Sequence, residues 1–210
     1  MVKNIFLSLC VSASLAWGNP ETYLPQQGDV VFQSLPNPWG LDLVDTIEGA
    51  TGSPYSHCGM VLWQDKEWHV IEAIGPVTII PLSTWRERGR GKKIWAYRLQ
   101  EPSQKHIAAA ITAMKRDLGK PYDARYRFDD QAIYCSELIY RGWKSATGTG
   151  LGKTVQLKEL NWQPYRKVIV ALEGTEEIPL TREIITPRDL AQATELKRVW
   201  PVAEDKKKFQ

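Results

Sequence analysis

The order of predicted elements in this 210-residue chain is typical of an α+β fold built around an antiparallel sheet. Strands gather in the first half and helices mostly follow, without the regular βαβ alternation that predicts a parallel sheet. Two β-rich runs, 57–63 and 68–74, are joined by Gln64-Asp65-Lys66-Glu67, a polar connection typical of a hairpin. Residues 103–118 show the clearest helical period in the chain.

Short apolar runs bounded by turn residues predict the strands. With four residues in the hairpin connection, Trp63 pairs with Trp68 and Gly59 pairs with Glu72. If the connection is tighter by two residues, Glu72 is expected directly opposite His57, and both registers permit a hydrogen bond between them. The predicted strands cover residues 28–33, 57–63, 68–74, 77–80, 94–99 and 168–172.

Apolar positions at a 3.6-residue spacing predict the helices. Gly52 ends the first of them, and Thr186 with Pro187 opens the last as N-cap and first helical residue. The predicted helices cover residues 41–50, 83–88, 103–118 and 135–146, with a further one beginning after residue 186.

Residues 1–18 have the pattern of a secretory signal peptide. Lys3 precedes an apolar run, and Ala16-Trp17-Gly18 supplies small residues for cleavage after Gly18. The run is too short to span a membrane, which takes about 20 residues. We therefore expect an exported protein, periplasmic or secreted, whose residues 19–210 form a single domain.

The formal net charge of +3 argues against a nucleic-acid partner, because such proteins carry a clustered basic face. The chain has no phosphate-binding loop, dinucleotide fingerprint or metal-ligand spacing, so we predict no cofactor and no metal. Its partner is expected to be a small substrate. The sequence leaves the oligomeric state open.

Cys135 is the first candidate catalytic residue. It lies where the loop residues Asp129 and Asp130 give way to a helical pattern. A cysteine in the first turn of a helix is near the positive end of the helix dipole, which favours the nucleophilic thiolate. The alternative is a buried, inert cysteine on the apolar stripe of its helix. Glu137 and Arg141, four residues apart, are predicted to form a surface ion pair.

His57 and Glu72 are the candidate base and orienting carboxylate. Because side chains alternate along strands, pairing of Gly59 with Glu72 puts Glu72 on the face of His57, one diagonal step away. A carboxylate within an apolar strand also requires a partner when it is buried. A thiol, an imidazole and a carboxylate are the components of a cysteine hydrolase.

The same alternation turns Cys58 away from His57, towards the face of His69. This creates a rival dyad, Cys58 with His69, although Cys58 lies within a strand and lacks a helix dipole. The alternation also argues against a disulfide between Cys58 and Cys135.

Five short motifs in order resemble the YiiX-like cysteine hydrolases, a circularly permuted branch of the NlpC-type papain-like superfamily. The similarity runs through nearly all of residues 19–210. The motifs are Gly28-Asp29-Val30-Val31-Phe32, Tyr55-Ser56-His57-Cys58-Gly59-Met60, Ile71-Glu72-Ala73-Ile74-Gly75-Pro76-Val77, Gly119-Lys120-Pro121-Tyr122-Asp123 and Tyr134-Cys135-Ser136-Glu137.

The resemblance implies a permuted papain-like fold, with an antiparallel sheet or partial barrel packed against helices. It also implies Cys135 as nucleophile, His57 as general base and Glu72 as orienting group. The second oxyanion donor is left between the hydroxyls of Tyr122 and Tyr55.

The substrate remains open between two chemical classes and one non-catalytic alternative. NlpC-type enzymes commonly cleave amide bonds in cell-wall peptides, so peptidoglycan fragments are the first candidates. Permuted relatives similar to lecithin:retinol acyltransferase act on acyl lipids, which makes an acyl ester the second candidate. A periplasmic module that binds amino acids or peptides without catalysis is the third.

Overall fold

Antiparallel strand pairing organises the part of the chain that the structure describes. The computed structural model describes residues 22–37 and 42–201. Its strands are β1 (Val30–Gln33), β2 (His57–Gln64), β3 (Glu67–Ala73), β4 (Val77–Pro81), β5 (Trp95–Leu99), β6 (Val155–Gln156), β7 (Glu183–Ile184) and β8 (Leu196–Trp200). Six strands form one sheet in the order β4-β3-β2-β1-β5-β8, and β6 pairs with β7 separately. The antiparallel pairing confirms the predicted α+β class.

The hairpin of β2 and β3 has the predicted register but a tighter turn. Trp63 lies opposite Trp68, and the next pair, Gln64 with Glu67, belongs to the ladder. Only Asp65 and Lys66 form the turn, and both have positive φ, at 51° and 65°. This is the backbone of a type I′ turn, whose twist matches that of the two strands.

Helices follow or connect the strands largely as predicted. Gly52 ends the first helix in the left-handed conformation, and the Thr186 side chain accepts a hydrogen bond from the Asp189 backbone to cap the last. The predicted start of the first helix at residue 41 lies outside the described residues. The helices are α1 (Leu43–Thr51), α2 (Leu82–Glu87), α3 (Ile107–Lys115), α4 (Cys135–Thr147), α5 (Arg166–Glu173) and α6 (Pro187–Ala191).

Two predicted elements are corrected. The strand predicted at 168–172 is wrong, because these residues lie in α5, which ends at Gly174 with φ 71°. A short apolar run rich in β-branched residues is compatible with either structure. The helix predicted at 103–118 is shorter: Ser103–His106 form a 3-10 turn before α3 begins. Strand β8, with the exposed residues Lys197 and Arg198, was not predicted.

Alternation along the strands divides the core into two parts on opposite faces of the sheet. The larger part lies between the sheet and helices α3 and α4, and it includes Phe32, Met60, Ile71, Met114 and Leu138. The smaller part surrounds Trp85 of α2 and includes Val31, Val61, Val70 and Ala96. Helices α2 and α4 therefore pack on opposite faces of the same strands.

No helix within residues 22–37 and 42–201 combines the length and apolar character needed to cross a bilayer. The predicted signal peptide, residues 1–18, lies outside the described residues.

Candidate active site

Cys135 is the first residue of α4, and its thiol is nearly buried, with 3% exposure. The start of this helix is anchored to the segment before α6. The Tyr134 hydroxyl accepts a hydrogen bond from the Ile185 backbone N–H at 3.0 Å, and the Ser136 hydroxyl donates to the Ile185 carbonyl at 2.7 Å. Cys135 is therefore held at the positive end of the α4 dipole.

His57 and Glu72 form a buried hydrogen bond. The distance between His57 Nε2 and Glu72 Oε2 is 2.6 Å, and the two residues are 2% and 0% exposed. The register that places Gly59 next to Glu72 brings the two side chains to the same face of the hairpin. Since Glu72 occupies Nε2, the nitrogen that remains for the Cys135 thiol is Nδ1. Cys135 lies close enough to His57 for its thiol to raise the pKa of the imidazole.

The electrostatics of this cluster favour an ion pair of thiolate and imidazolium. Burial acts to lower the pKa of His57, but hydrogen bonds and charges of Cys135 and Glu72 outweigh it and raise that pKa to about 9. A hydrogen bond from the Cys58 thiol, together with the hydrogen bond and charge of His57, holds the pKa of Cys135 well below its ordinary value despite burial. The proton therefore belongs on the imidazole at neutral pH.

Strand alternation does not keep Cys58 away from Cys135, although the two cysteines form no disulfide. Cys58 does face away from His57, but it faces the side of the sheet on which α4 packs. Cys58 lies close enough to Cys135 for its thiol and backbone N–H to lower the pKa of Cys135. Burial and the neighbouring Cys135 raise the pKa of Cys58 well above its usual range, so Cys58 is the donor and Cys135 the thiolate. Both are free cysteines.

The structure does not bring His69 to Cys58. His69 pairs with Leu62, four strand residues from Cys58, which corresponds to about 13 Å along β2. The His69 ring lies instead beside Glu67, with Nε2 3.6 Å from the Glu67 carboxylate. The geometry therefore does not contain the rival dyad.

Of the two candidate oxyanion tyrosines, only Tyr122 is close to Cys135. Tyr122 is near enough to Cys135 for the cysteine to raise the pKa of its hydroxyl, which donates to the Tyr126 hydroxyl at 3.5 Å. Burial raises the pKa of Tyr122 well above its usual range, so its hydroxyl stays protonated, and in this structure that hydroxyl donates to Tyr126. The Tyr55 hydroxyl lies 3.0 Å from that of Tyr97, and Tyr55 does not line the cleft, so we withdraw it from the candidate site.

Two charged residues near the cluster differ from what sequence reasoning anticipated. Arg88, which the sequence did not single out, donates a hydrogen bond from Nη2 to the same Glu72 oxygen that binds His57. Glu137, in the first turn of α4, is fully buried, so the predicted surface pair joins a buried carboxylate to the Arg141 guanidinium, which is 29% exposed, at 3.4 Å. Burial raises the pKa of Glu137 to about 8, against the opposing charge of Arg141.

A cleft of about 340 Å³ opens beside His57 and Tyr122. A second, almost entirely apolar cavity of about 100 Å³ lies beyond it. The two share lining residues Leu43, Ile47 and Tyr126, so helix α1 forms a wall common to both. The remaining cleft residues are Leu35, Pro36, Asn37, Val44, Ser56, Ile74 and Arg88.

Comparison with known proteins gives consistent results. Residues 24–200 match the model of a family described as permuted papain-like amidase enzyme, YaeF/YiiX, C92 family. The chain is 32% identical over 208 residues to the uncharacterized protein YiiX of Escherichia coli K12, covering 94% of this chain and 96% of that protein.

A crystal structure described as metalloprotein yiiX from Escherichia coli O157:H7 superposes with a TM-score of 0.75 at 31% identity. The match covers 84% of this chain and 97% of that one, and it confirms the permuted papain-like fold. Among residues 22–37 and 42–201 of this chain, no group of three or more His, Cys, Asp or Glu side chains is arranged to hold a metal ion. The description as a metalloprotein stays with that relative.

Proposed function

Because this chain belongs to the C92 family of permuted papain-like amidases, and is therefore a cysteine peptidase or amidase-type hydrolase, we propose that Cys135, His57 and Glu72 are its catalytic triad. The observation that carries the proposal is the buried 2.6 Å hydrogen bond between His57 and Glu72, with the Cys135 thiol close enough to His57 that each group shifts the pKa of the other. The three groups come from a helix start and two strands, and all are shielded from solvent.

The proposed reaction is acyl transfer to water through an acyl-enzyme. The Cys135 thiolate attacks the substrate carbonyl carbon, and the His57 imidazolium gives its proton to the departing amine. The neutral His57 then takes a proton from water as its oxygen attacks the thioester, and the acid is released with the Cys135 thiolate and the His57 imidazolium restored. Glu72 keeps the Nε2 proton of His57 directed at itself, so that Nδ1 serves the reacting groups.

The negative charge on the carbonyl oxygen needs donors in the same cleft. The Cys135 backbone N–H at the start of α4 is one candidate, because N–H groups in the first helical turn lack helical partners. We assign the second donor to the Tyr122 hydroxyl, which lies near Cys135, lines the cleft and would turn from Tyr126 to the carbonyl oxygen.

For the substrate we propose an amide bond, with peptides derived from the bacterial cell wall as the first class. The signal-peptide pattern of residues 1–18 supports export to the periplasm or the exterior, where such peptides occur. The apolar cavity supports a second candidate, an acyl ester or acyl amide, because its lining suits a hydrocarbon chain.

Product release separates these substrates. The full chain is incubated with purified muropeptides and, separately, with short-chain and long-chain acyl esters and amides, and the products are identified by mass spectrometry. We expect cleavage of peptide amides that disappears in the Cys135→Ser variant. Turnover of acyl esters alone would favour the second candidate and reject the first.

A variant that fills the cavity refines the comparison. Ile169 lines the apolar cavity from α5 and is absent from the cleft beside His57. If long acyl chains enter this cavity, Ile169→Trp raises KM for long-chain substrates by about tenfold or more, which corresponds to the loss of a few buried methylene groups. Short-chain substrates then serve as the internal control, since they do not reach this side chain.

The pH profile provides a further prediction. Since the pKa of His57 is raised to about 9, the imidazolium is present below that value, and kcat/KM is expected to fall as the pH rises above about 9. Glu72 contributes to raising this pKa, so Glu72→Gln moves the alkaline limb to lower pH. The pH at which kcat/KM falls on the alkaline side is measured from initial rates between pH 5 and pH 10. An alkaline limb that stays in place in Glu72→Gln would show that Glu72 does not support the imidazolium.

A further inference from the structure

We infer that Arg88 is a positioning residue for the proposed reaction, holding Glu72 as a charged and correctly oriented carboxylate behind His57. The inference rests on the proposed triad, and it adds a fourth member that acts through Glu72 without contacting the reacting atoms.

Arg88 binds the same oxygen of Glu72 that binds His57. Arg88 Nη2 and His57 Nε2 both bind Oε2 of Glu72. The other carboxylate oxygen, Oε1, is buried and has no hydrogen-bond partner among the described residues. Every hydrogen bond that the described residues make to this carboxylate therefore converges on one atom, and Arg88 fixes the rotation that presents this atom to His57.

Burial makes the charge of Glu72 depend on its neighbours. Glu72 is 0% exposed, and burial alone raises its pKa. Hydrogen bonds and charges of His57 and Arg88 outweigh burial, and the pKa of Glu72 is held below its ordinary value. A buried carboxylate without such compensation takes up a proton near neutral pH.

Of the two positive charges that stabilise ionised Glu72, that of His57 is lost during the proposed catalytic cycle and that of Arg88 is not. His57 loses its positive charge when it protonates the leaving amine, and it regains that charge only during deacylation. Arg88 stays charged throughout, because guanidinium does not deprotonate in proteins. Arg88 is thus the charge that keeps Glu72 ionised while His57 is neutral.

Protonation of Glu72 at that stage would invert the hydrogen bond. A neutral carboxylic acid donates to Nε2, which places the imidazole proton on Nδ1. Nδ1 could then no longer accept a proton from water or from the thiol. Arg88 therefore secures the tautomer on which the base function depends.

Local packing holds Arg88 in place. It follows α2 directly, and the fully buried Trp85 of that helix lies with its ring 6.1 Å from the His57 ring. The next residues are pinned to the end of β1, where the Arg90 backbone N–H donates to the Ser34 carbonyl at 2.7 Å. The Arg88 side chain is 28% exposed and lines the cleft, so it reaches Glu72 from the substrate side.

Few other charges act on Glu72. On β2, His57 faces Glu72, and Cys58 is close enough for the charge of Glu72 to raise the pKa of its thiol. Cys135 of α4 lies on the other side of His57. Its partner on β4 is the uncharged Thr78. In the described structure, Arg88 is the permanent positive charge hydrogen-bonded to this carboxylate.

The test is the pH dependence of Cys135 alkylation by iodoacetamide, measured on the Cys135 peptide by mass spectrometry. The variants are Arg88→Met and Arg88→Lys. The matched control is Arg86→Met, which removes an exposed arginine from α2, the helix that ends just before Arg88. The acid midpoint is the pH at which the alkylation rate of Cys135 falls to half as the pH is lowered. In Arg88→Met we expect it to move up by about one pH unit. Glu72 then becomes protonated at a higher pH, and the thiolate loses the stabilising charge of the imidazolium. Arg88→Lys retains a positive charge, so its midpoint should stay close to that of the unmodified protein.

A double variant shows whether Arg88 acts through Glu72. In the Glu72→Gln background, Arg88→Met should move the midpoint by no more than about 0.3 pH units, since coupled residues are not additive. An unshifted midpoint in Arg88→Met, or an equal shift in Arg86→Met, overturns the inference. A full shift in the Glu72→Gln background also overturns it. Alkylation needs no substrate, so these outcomes are separate from failure of the proposed hydrolysis, which Cys135→Ser tests.

Discussion

Replacement of Cys135 by serine is expected to lower kcat/KM by about 10⁴-fold or more, on whichever substrate the chain hydrolyses. The hydroxyl is a far weaker acid than the thiol, so His57 cannot hold it as an anion in the resting enzyme. Losses of this order or larger follow removal of the nucleophile in related catalytic triads. The measurement is the initial rate at saturating and limiting substrate, with thermal unfolding as a check that the variant folds.

Cys58 offers a matched comparison within the same site. Its thiol donates to Cys135, and serine retains a donor of similar size, so Cys58→Ser is expected to lose about tenfold or less. Alkylation of Cys135 in this variant should show a moderately raised acid midpoint. If Cys58→Ser abolishes turnover while Cys135→Ser remains active, the assignment of nucleophile must be reversed.

The strand-based part of the site could be predicted because hairpin register is a local property. The pairing of Trp63 with Trp68 follows from the length of the connection, and the faces of His57 and Glu72 follow from alternation. The start of α4 at Cys135 could likewise be predicted from the change in residue pattern.

The remaining contacts depend on how distant segments pack, which strand alternation does not describe. Alternation correctly turned Cys58 away from His57, but it could not indicate that α4 would cover the Cys58 face. Arg88 had no distinguishing pattern, because its contact with Glu72 arises where the end of α2 passes over β3. Tyr55 and Tyr122 were indistinguishable in sequence, and only the packing of Tyr55 against Tyr97 separated them.

The apolar lining of the cavity also could not be predicted from the sequence. The apolar cavity draws its lining from α1, α5 and the segments around residues 125 and 185, which are far apart in the chain. The apolar run at 168–172 was compatible with a strand, and only its folding as α5 places Ile169 and Leu172 in this wall. The apolar cavity therefore supports the second substrate candidate, an acyl ester or acyl amide, independently of the family resemblance.

His57→Gln is expected to lower kcat/KM by about 10³-fold and to slow alkylation of Cys135 at pH 6 by about 10²-fold or more. Glutamine can hydrogen-bond to Glu72 but cannot carry the proton, so the thiolate loses its counter-charge and the pKa of Cys135 rises. The alkylation rate should recover at high pH, where the thiol ionises without help, whereas hydrolysis should not, because the leaving group still lacks a proton donor.

His69→Gln is the matched control, because His69 lies in the same hairpin but contacts Glu67 and not the thiols. We expect its kcat/KM to stay within about twofold of the unmodified protein, because His69 is remote from the thiols and glutamine retains a polar side chain beside Glu67. A loss of turnover in His69→Gln with retention in His57→Gln would instead support the dyad of Cys58 and His69. The pair of variants thus decides which imidazole serves the thiol, independently of which substrate is used.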